Sequence, residues 1–319
     1  MPEHLVTGVA GFIGSSIARA LVARGDKVRG IDNFSTGRRE NLKGLEAIHL
    51  IEGDLNDPGL AERACRQIDF IFHEAALPSV PRSVEDPVGS NRANVDATVK
   101  LLDAARKCGV KRVIYAGSSS AYGNSPLLPK REDMLPAPSS PYAVSKLAGE
   151  HYMSAFHRVY GLETVTLRYF NVFGPHQDPT SQYSGVLAVF IAKMLRNHTP
   201  TIYGDGEQSR DFTYVDNVVA GNLLAAAAGA ERVAGRVFNV ATGMRVTLNE
   251  TAELLRGLTG YRGEIAYGPE RQGDVKHSLA DISTAKSQFG YEPKVLFPEG
   301  LRKTVAWYRA RSEVASASR

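Results

Sequence analysis

Residues 139–150 read SSPYAVSKLAGE and place Tyr142 four positions before Lys146. Ser140 suits a helix N-cap and Pro141 the first helical position, so the spacing predicts one helix face carrying both side chains. An ammonium beside a phenol favours the phenolate and lowers its pKa from about 10, which gives a general base usable near neutrality. With 13 tyrosines in the chain this spacing also arises by chance, and an exposed i,i+4 pair is the competing reading. A second candidate is AGSSSAYG at 116–123. A nucleophile elbow needs G-x-S-x-G, whereas Gly117-Ser118-Ser119-Ser120-Ala121 lacks the second glycine and has no evident histidine partner. A Ser118 hydroxyl that holds a substrate oxygen beside Tyr142 fits better. The plain alternative is a serine-rich turn that satisfies its own backbone.

Both candidates depend on what positions them. Short apolar, β-branched runs at 4–7, 27–32, 47–54, 70–76, 112–118 and 163–169 alternate with helical patterns such as 12–24, 95–108 and 141–160. Such alternation predicts βαβ units, a doubly wound parallel sheet buried on both faces, and right-handed crossovers. Ser118 then ends strand five and Tyr142 opens the helix that follows it, on the ligand side of the sheet.

The other strand ends agree. Gly8, Gly11 and Gly14 follow the first strand and open the first helix, where a tight turn lets backbone approach a pyrophosphate at the helix N-terminus. The spacing differs from G-x-G-x-x-G, and a structural strand–helix turn is the alternative. Strand two ends in Asp32-Asn33, 18 residues after Gly14. An acid there accepts from an adenosine ribose and repels a 2′-phosphate, so NAD is expected over NADP. Asp54-Leu55 and Ala75-Ala76 close strands three and four.

After residue 174 the pattern turns polar and Gly/Pro-rich around a helix near 186–197, and 237–241 reads as a buried strand that could rejoin the first sheet. The expected organisation is a Rossmann-type domain of 1–174 plus about 212–243, and a smaller α/β substrate-binding domain of about 175–211 and 244–319. Net charge is +4 over 319 residues with Lys and Arg scattered, which argues against nucleic acid. Cys65 and Cys108 provide neither a disulfide framework nor a zinc cluster, and no HExxH occurs among the 8 histidines, so no metal is expected. The absence of a long apolar run and of a signal-like N-terminal stretch makes a cytoplasmic protein with no membrane partner the expectation.

The motifs GxxGxxG, Asp-Asn after strand two, SSS, SPYAVSK, LRYFNVFG and GDGEQSRDF together resemble the extended short-chain dehydrogenase/reductases, specifically nucleotide-sugar epimerases, from about residue 4 to 310. ALPSVPRS (76–83), FNVFGPHQDP (170–179) and GDVKHSLADIS (273–283) bring it nearest to UDP-N-acetylglucosamine 4-epimerases. The resemblance implies Ser118, Tyr142 and Lys146 as the catalytic set, and Asn94 and Tyr169 at the nicotinamide half. It adds Phe12, Ile13, Thr36 and Gly37 to the residues that hold NAD. For a UDP-sugar it implies Asn171 at the diphosphate, Tyr203 on the uracil, Arg210 and Arg271 on the phosphates and Asp274 at the ribose. Ser79, Ser119, Ser120, Val186, Leu187 and Thr201 complete the substrate set. Read alone, Arg210 next to Asp211 could be a surface ion pair, and Tyr203 a core residue.

Ser278 matches a position where glucose/galactose-restricted members carry a bulky tyrosine, so the resemblance implies space for a 2-N-acetyl group. A solvent serine with no selective role is the alternative. Related dehydratases and decarboxylases carry an acid within the segment that here reads SSSAYG, which leaves simple epimerisation. The implied reaction interconverts UDP-GlcNAc and UDP-GalNAc, and UDP-Glc and UDP-Gal, through a 4-keto sugar with tightly bound NAD, in a homodimer joined by a helical face. Competing readings are another reaction on a UDP-sugar, such as UDP-glucuronate epimerisation or decarboxylation, and a non-catalytic NAD-binding protein.

Overall fold

Seven parallel strands form the centre of the protein: β1 (Glu3–Thr7), β2 (Lys27–Asp32), β3 (His49–Glu52), β4 (Phe70–His73), β5 (Arg112–Ser118), β6 (Glu163–Tyr169) and β7 (Arg236–Val240). Their spatial order is β7-β6-β5-β4-β1-β2-β3. The computed structural model describes residues 2–179, 185–270 and 276–317. Neighbours along these strands enter opposite layers, as the period of two requires. Val6, Phe72 and Ile114 join the core on one face, while Leu5, Ile71 and Val113 join the core on the other. Burial on both faces explains why the strands read as continuous apolar runs rather than alternating ones. Each fully buried Leu, Ile or Phe contributes about 1.5–3 kcal/mol relative to exposure.

Helix α1 (Phe12–Ala23) packs Ile17, Ala18 and Leu21 against the first face, and α2 (Ala97–Lys107) and α3 (Pro141–Tyr160) cover the second. The sheet order changes direction between β4 and β1, which opens a crevice beyond their carboxyl ends. The fold class expected from the sequence is therefore the one observed, and 237–241 does return to the sheet, as β7 parallel to β6. Differences lie at the edges. The strand expected at 47–54 spans His49–Glu52, and the one at 70–76 stops at His73 because the chain then leaves the ladder to line the crevice. The helix expected from 95 begins at Ala97, preceded by one π-turn, Arg92–Asp96.

Beyond β6 lie helices α4 (Val186–Leu195), α5 (Val215–Ala227), α6 (Leu248–Thr259) and α7 (Phe297–Ala317). Thr247 and Glu250 form a reciprocal capping box at the start of α6. Three two-stranded pairings hold the intervening loops: Val172–Phe173 with Thr213–Tyr214, Ser209–Arg210 with Val246–Thr247, and Thr201–Tyr203 with Ala266–Gly268. Leu187, Met194, Leu255 and Leu301 continue the core of the first face without a break. Among the described residues, no helix is long and apolar enough to cross a membrane.

Candidate active site

The turn from β1 to α1 has no room for side chains. Gly8 has φ +66°, and a Cβ there would lie 2.9 Å from the Ala75 backbone. At Gly14 a Cβ would fall 2.2 Å from the Gly8 carbonyl oxygen. Gly11 N-caps α1 without a side-chain acceptor, which leaves its first-turn N–H groups for an anion. Asp32 is fixed beside them: its Oδ2 accepts the Ala10 N–H at 2.8 Å and its Oδ1 the Phe34 N–H at 2.8 Å. Burial pushes its carboxyl up from the ordinary aspartate range. Each oxygen keeps a lone pair for a hydroxyl. Gly37 is pressed against the same carboxylate, where a Cβ would sit 2.8 Å from Oδ1.

At the other end of the crevice, Ser140 N-caps α3 by accepting the Ala143 N–H at 3.1 Å. Tyr142 donates its own N–H to Ser83 Oγ at 3.0 Å, and its carbonyl accepts Ser145 Oγ at 2.8 Å. Ser145 in turn accepts from Asn94 Nδ2 at 2.9 Å, while Asn94 Oδ1 accepts the Leu77 N–H at 2.7 Å. The start of α3 is thus pinned from two directions. Ser118 Oγ accepts from Ser120 Oγ at 2.8 Å and from Ser120 N at 3.2 Å. The Ser118 hydroxyl lies close enough to the Tyr142 phenol to oppose part of the rise in its pKa.

Lys146 is buried and donates from Nζ to the Ala116 carbonyl at 2.8 Å. Burial drives its pKa down, opposed by the Glu74 carboxylate. Burial also raises the Tyr142 pKa, and the Ser118 hydroxyl only partly offsets this. The sequence-based expectation of a phenol already acidified by Lys146 is corrected here. Desolvation dominates and the Ser118 hydroxyl is what opposes it, while the Lys146 ammonium donates to the Ala116 carbonyl. Next to this group, the His73 nitrogens lie 2.8 and 2.9 Å from the Thr7 and Thr98 hydroxyls, and burial lowers its pKa to about 3.

One cavity of about 1170 Å³ joins the two ends. Gly8, Gly11, Phe12, Ile13, Gly14, Asp32, Asn33, Thr36, Gly37, Asp54, Leu55, Ala75, Ala76 and Tyr169 line it, as do Ser79, Ser118, Ser119, Ser120, Tyr142, Lys146, Asn171, Arg210 and Ser278. Ser278 Oγ accepts from Asn171 Nδ2 at 3.0 Å and from Asp211 N at 3.2 Å. Arg210 Nη1 donates to the Ser209 and Lys276 carbonyls at 3.0 and 3.1 Å. The Asp211 carboxylate turns inward instead, to Thr242, Gly243 and Ala280, so it is no surface partner.

Other expected residues lie elsewhere. Asn94 is buried and committed to Leu77 and Ser145, so it positions the start of α3 rather than facing the cavity. Leu187 sits in the core with Val186 packed against it. Thr201 and Tyr203 occupy a strand outside the lining, where Tyr203 is half-exposed rather than core. Arg271 and Asp274 fall outside the described residues. Lys130 and Glu74 are among the cavity residues that were not anticipated. Lys130 lines the wall and donates to the Ser125 carbonyl. Glu74 accepts from Tyr169 OH at 2.8 Å. Glu74 had a signal, an acid directly before Ala75-Ala76 at a strand end, which the over-long expected strand concealed.

A family model described as the NAD dependent epimerase/dehydratase family matches residues 4–241. The chain belongs to that family. This NAD dependent epimerase/dehydratase is 39% identical over 314 residues to a UDP-glucose 4-epimerase of Mycolicibacterium smegmatis, covering 97% of this chain and 99% of that one. It is similar to a solved UDP-N-acetylglucosamine 4-epimerase from Methanobrevibacter ruminantium in complex with UDP-N-acetylmuramic acid, at 42% identity, TM-score 0.92, and 98% and 100% coverage. It is also similar to a UDP-glucuronic acid 4-epimerase from Bacillus cereus in complex with UDP-glucuronic acid and NAD, at 32% identity, TM-score 0.89, and 97% and 99% coverage. NAD is the cofactor of this family member. The side-chain-free turn at Gly8 and Gly14 and the fixed Asp32 fit its pyrophosphate and ribose. Among the described residues, no group of three potential metal ligands occurs.

Proposed function

We propose that the protein is a UDP-sugar 4-epimerase that interconverts UDP-GlcNAc and UDP-GalNAc, and also UDP-Glc and UDP-Gal. The observation that carries this reading is that Ser118, Tyr142 and Lys146 line one end of the same cavity whose other end holds the side-chain-free glycine turn and Asp32. Tyr142 takes the proton from the sugar O4, and Ser118 shares the hydrogen bond that positions that oxygen. Lys146 provides the positive charge that favours the phenolate. NAD held at Gly8, Gly11, Gly14 and Asp32 would supply reversible hydride chemistry at C4, so no external oxidant would be consumed. Tyr142 gives its proton back to O4 when the opposite epimer forms. Hydroxyls rather than an acid fill Ser118, Ser119 and Ser120, which supports epimerisation over dehydration. Gly8, Gly11, Gly14 and Asp32 hold NAD, while Asn171 and Arg210 meet the diphosphate.

Ser278 supports the acetylated substrate. Its small side chain hydrogen-bonds Asn171 at the cavity wall, and a tyrosine there would fill space that a 2-N-acetyl group needs. UDP-glucuronate is the second reading, favoured by the Lys130 ammonium on the wall, which could pair with a C6 carboxylate. Purified protein incubated without added NAD on UDP-GlcNAc, UDP-Glc and UDP-glucuronate, with products resolved, decides among them. Ser278→Tyr should lower turnover of the acetylated sugar about 100-fold and spare UDP-Glc. Unchanged use of the acetylated sugar would overturn the role of Ser278. The same reading assigns NAD to residues 1–174 plus about 212–243, and the nucleotide sugar mainly to about 175–211 and 244–319. It also takes the protein as a homodimer, supported by exposed Val84, Val88 and Val144 on helices that pack side by side.

A further inference from the structure

Arg38 and Asp178 both line the cofactor end of the cavity, and the Arg38 guanidinium donates to the Asp178 carboxylate in an ion pair. The two residues come from opposite banks. Arg38 follows Gly37, the glycine pressed against the Asp32 carboxylate. Its N–H donates to the Ala10 carbonyl at 2.9 Å, and Asn41 Nδ2 donates to the same carbonyl at 2.9 Å. Ala10 immediately precedes Gly11, the N-cap of α1. This bank is therefore one fixed piece that carries the ribose acid, the anion site and the Arg38 guanidinium.

The Asp178 bank is fixed from behind by α7. Tyr308 OH donates to the Gln177 carbonyl, and the His176 ring packs on Trp307 with centroids 5.1 Å apart. With Asn41 Nδ2 committed to Ala10, Asn41 Oδ1 accepts from His176 Nδ1 at 3.2 Å, a second contact between the banks. Burial lowers the His176 pKa to about 4, so this contact is uncharged near neutrality, unlike the Arg38–Asp178 pair. The pyrophosphate of NAD fits the α1 N-terminus, which begins just beyond the carbonyl that anchors Arg38. A guanidinium so placed has a competing use, direct contact with that pyrophosphate, but the Asp178 carboxylate already engages it.

We propose that Arg38 and Asp178 are positioning residues for the cofactor: their ion pair ties the two banks together beside the pyrophosphate site and slows the release of NAD. A reaction that takes a hydride from a sugar and returns it fails if the cofactor leaves in between. That benefit rests on the epimerase reading; the tie does not. The side chains are 40% and 26% exposed, so the pair is only partly desolvated and slows release about fivefold.

The test follows exchange of bound NAD for added radiolabelled NAD in the holoenzyme. It compares the wild type with Arg38→Met, Asp178→Asn, the double variant and the reversed pair Arg38→Asp/Asp178→Arg. Either single change should speed exchange about fivefold, and the double variant no more than either alone, because both remove one interaction. The reversed pair should bring the rate back to within about twofold of wild type. Raising salt from about 0.05 M to about 0.5 M should speed wild-type exchange more than that of the single variants. A merely structural role would show neither the rescue nor the salt difference. Asp178→Asn, which keeps the shape of the side chain, carries the test if Arg38→Met does not fold. Faster exchange in Arg38→Met with unchanged or slower exchange in Asp178→Asn would mean that Arg38 holds the pyrophosphate directly, and would overturn the tie. Exchange that neither change alters would overturn it too. The expected exchange rates in a protein that converts no UDP-sugar would instead sink the epimerase reading and leave the tie standing.

Discussion

Tyr142 is under two opposed influences, burial that resists its ionisation and a Ser118 hydroxyl that assists it. Burial prevails even with Lys146 on the same helix face, and the positive ring of oxidised NAD would add a second charge when bound. Tyr142→Phe should therefore cut kcat by about a thousandfold while the purified protein keeps its NAD, read by cofactor release after denaturation. Retained turnover in that variant would remove Tyr142 from the mechanism. His73 makes a different prediction. Its folded pKa of about 3 lies below the ordinary 6.5, so the unfolded chain binds a proton that the folded one refuses. This stability is present above about pH 6.5 and drains away as pH falls toward 3. Denaturant titrations of His73→Asn should show a shallower loss of stability with acid across that window.

The element that carries the cofactor site is the β1–α1 turn, and its argument is steric. Gly14→Ala places a methyl 2.2 Å from the Gly8 carbonyl, against backbone that cannot swing aside. The first turn of α1 must shift, so NAD content after purification should fall at least about tenfold, with roughly 1–3 kcal/mol lost from stability. An Ala variant that copurifies with full NAD would contradict this. The π-turn before α2 is another element-scale device. The Arg92–Asp96 turn brings Asn94 to both Leu77 and Ser145, and so ties the end of β4 to the start of α3. A widened turn of this kind commonly marks a functional site. The sequence offered no period from which to read it, because a single inserted residue inside a helical pattern leaves the hydrophobic spacing on either side intact.

At the scale of the whole molecule, Asp211 and Arg112 are buried charged side chains that join distant segments. Asp211 accepts from Thr242 N and Oγ1, Gly243 N and Ala280 N at 2.6–3.2 Å, knitting the loop after β7 to the segment that carries Ser278. Arg112 closes the far end of the sheet by donating to the Ala225, Ala226 and Ala228 carbonyls at the end of α5, and to Glu163. Asp211→Ala strands several buried donors at once and should cost about 3 kcal/mol or more in chemical denaturation. It should also weaken UDP-sugar binding more than NAD binding, since Ser278 and Arg210 lean on the same segment; equal loss of both would refute that. The parallel sheet, the glycine turn and the placing of Asp32, Ser118, Tyr142 and Lys146 around one cavity were legible in the chain, because each follows from local order: apolar period, backbone that tolerates no Cβ, position at a strand end, and spacing along one helix. Tertiary structure decided the rest. It took Asn94 out of the cavity, brought in Glu74 and Lys130, turned Asp211 inward and raised the Tyr142 pKa. Burial and long-range charge depend on which segments meet, and residue spacing along the chain does not encode that.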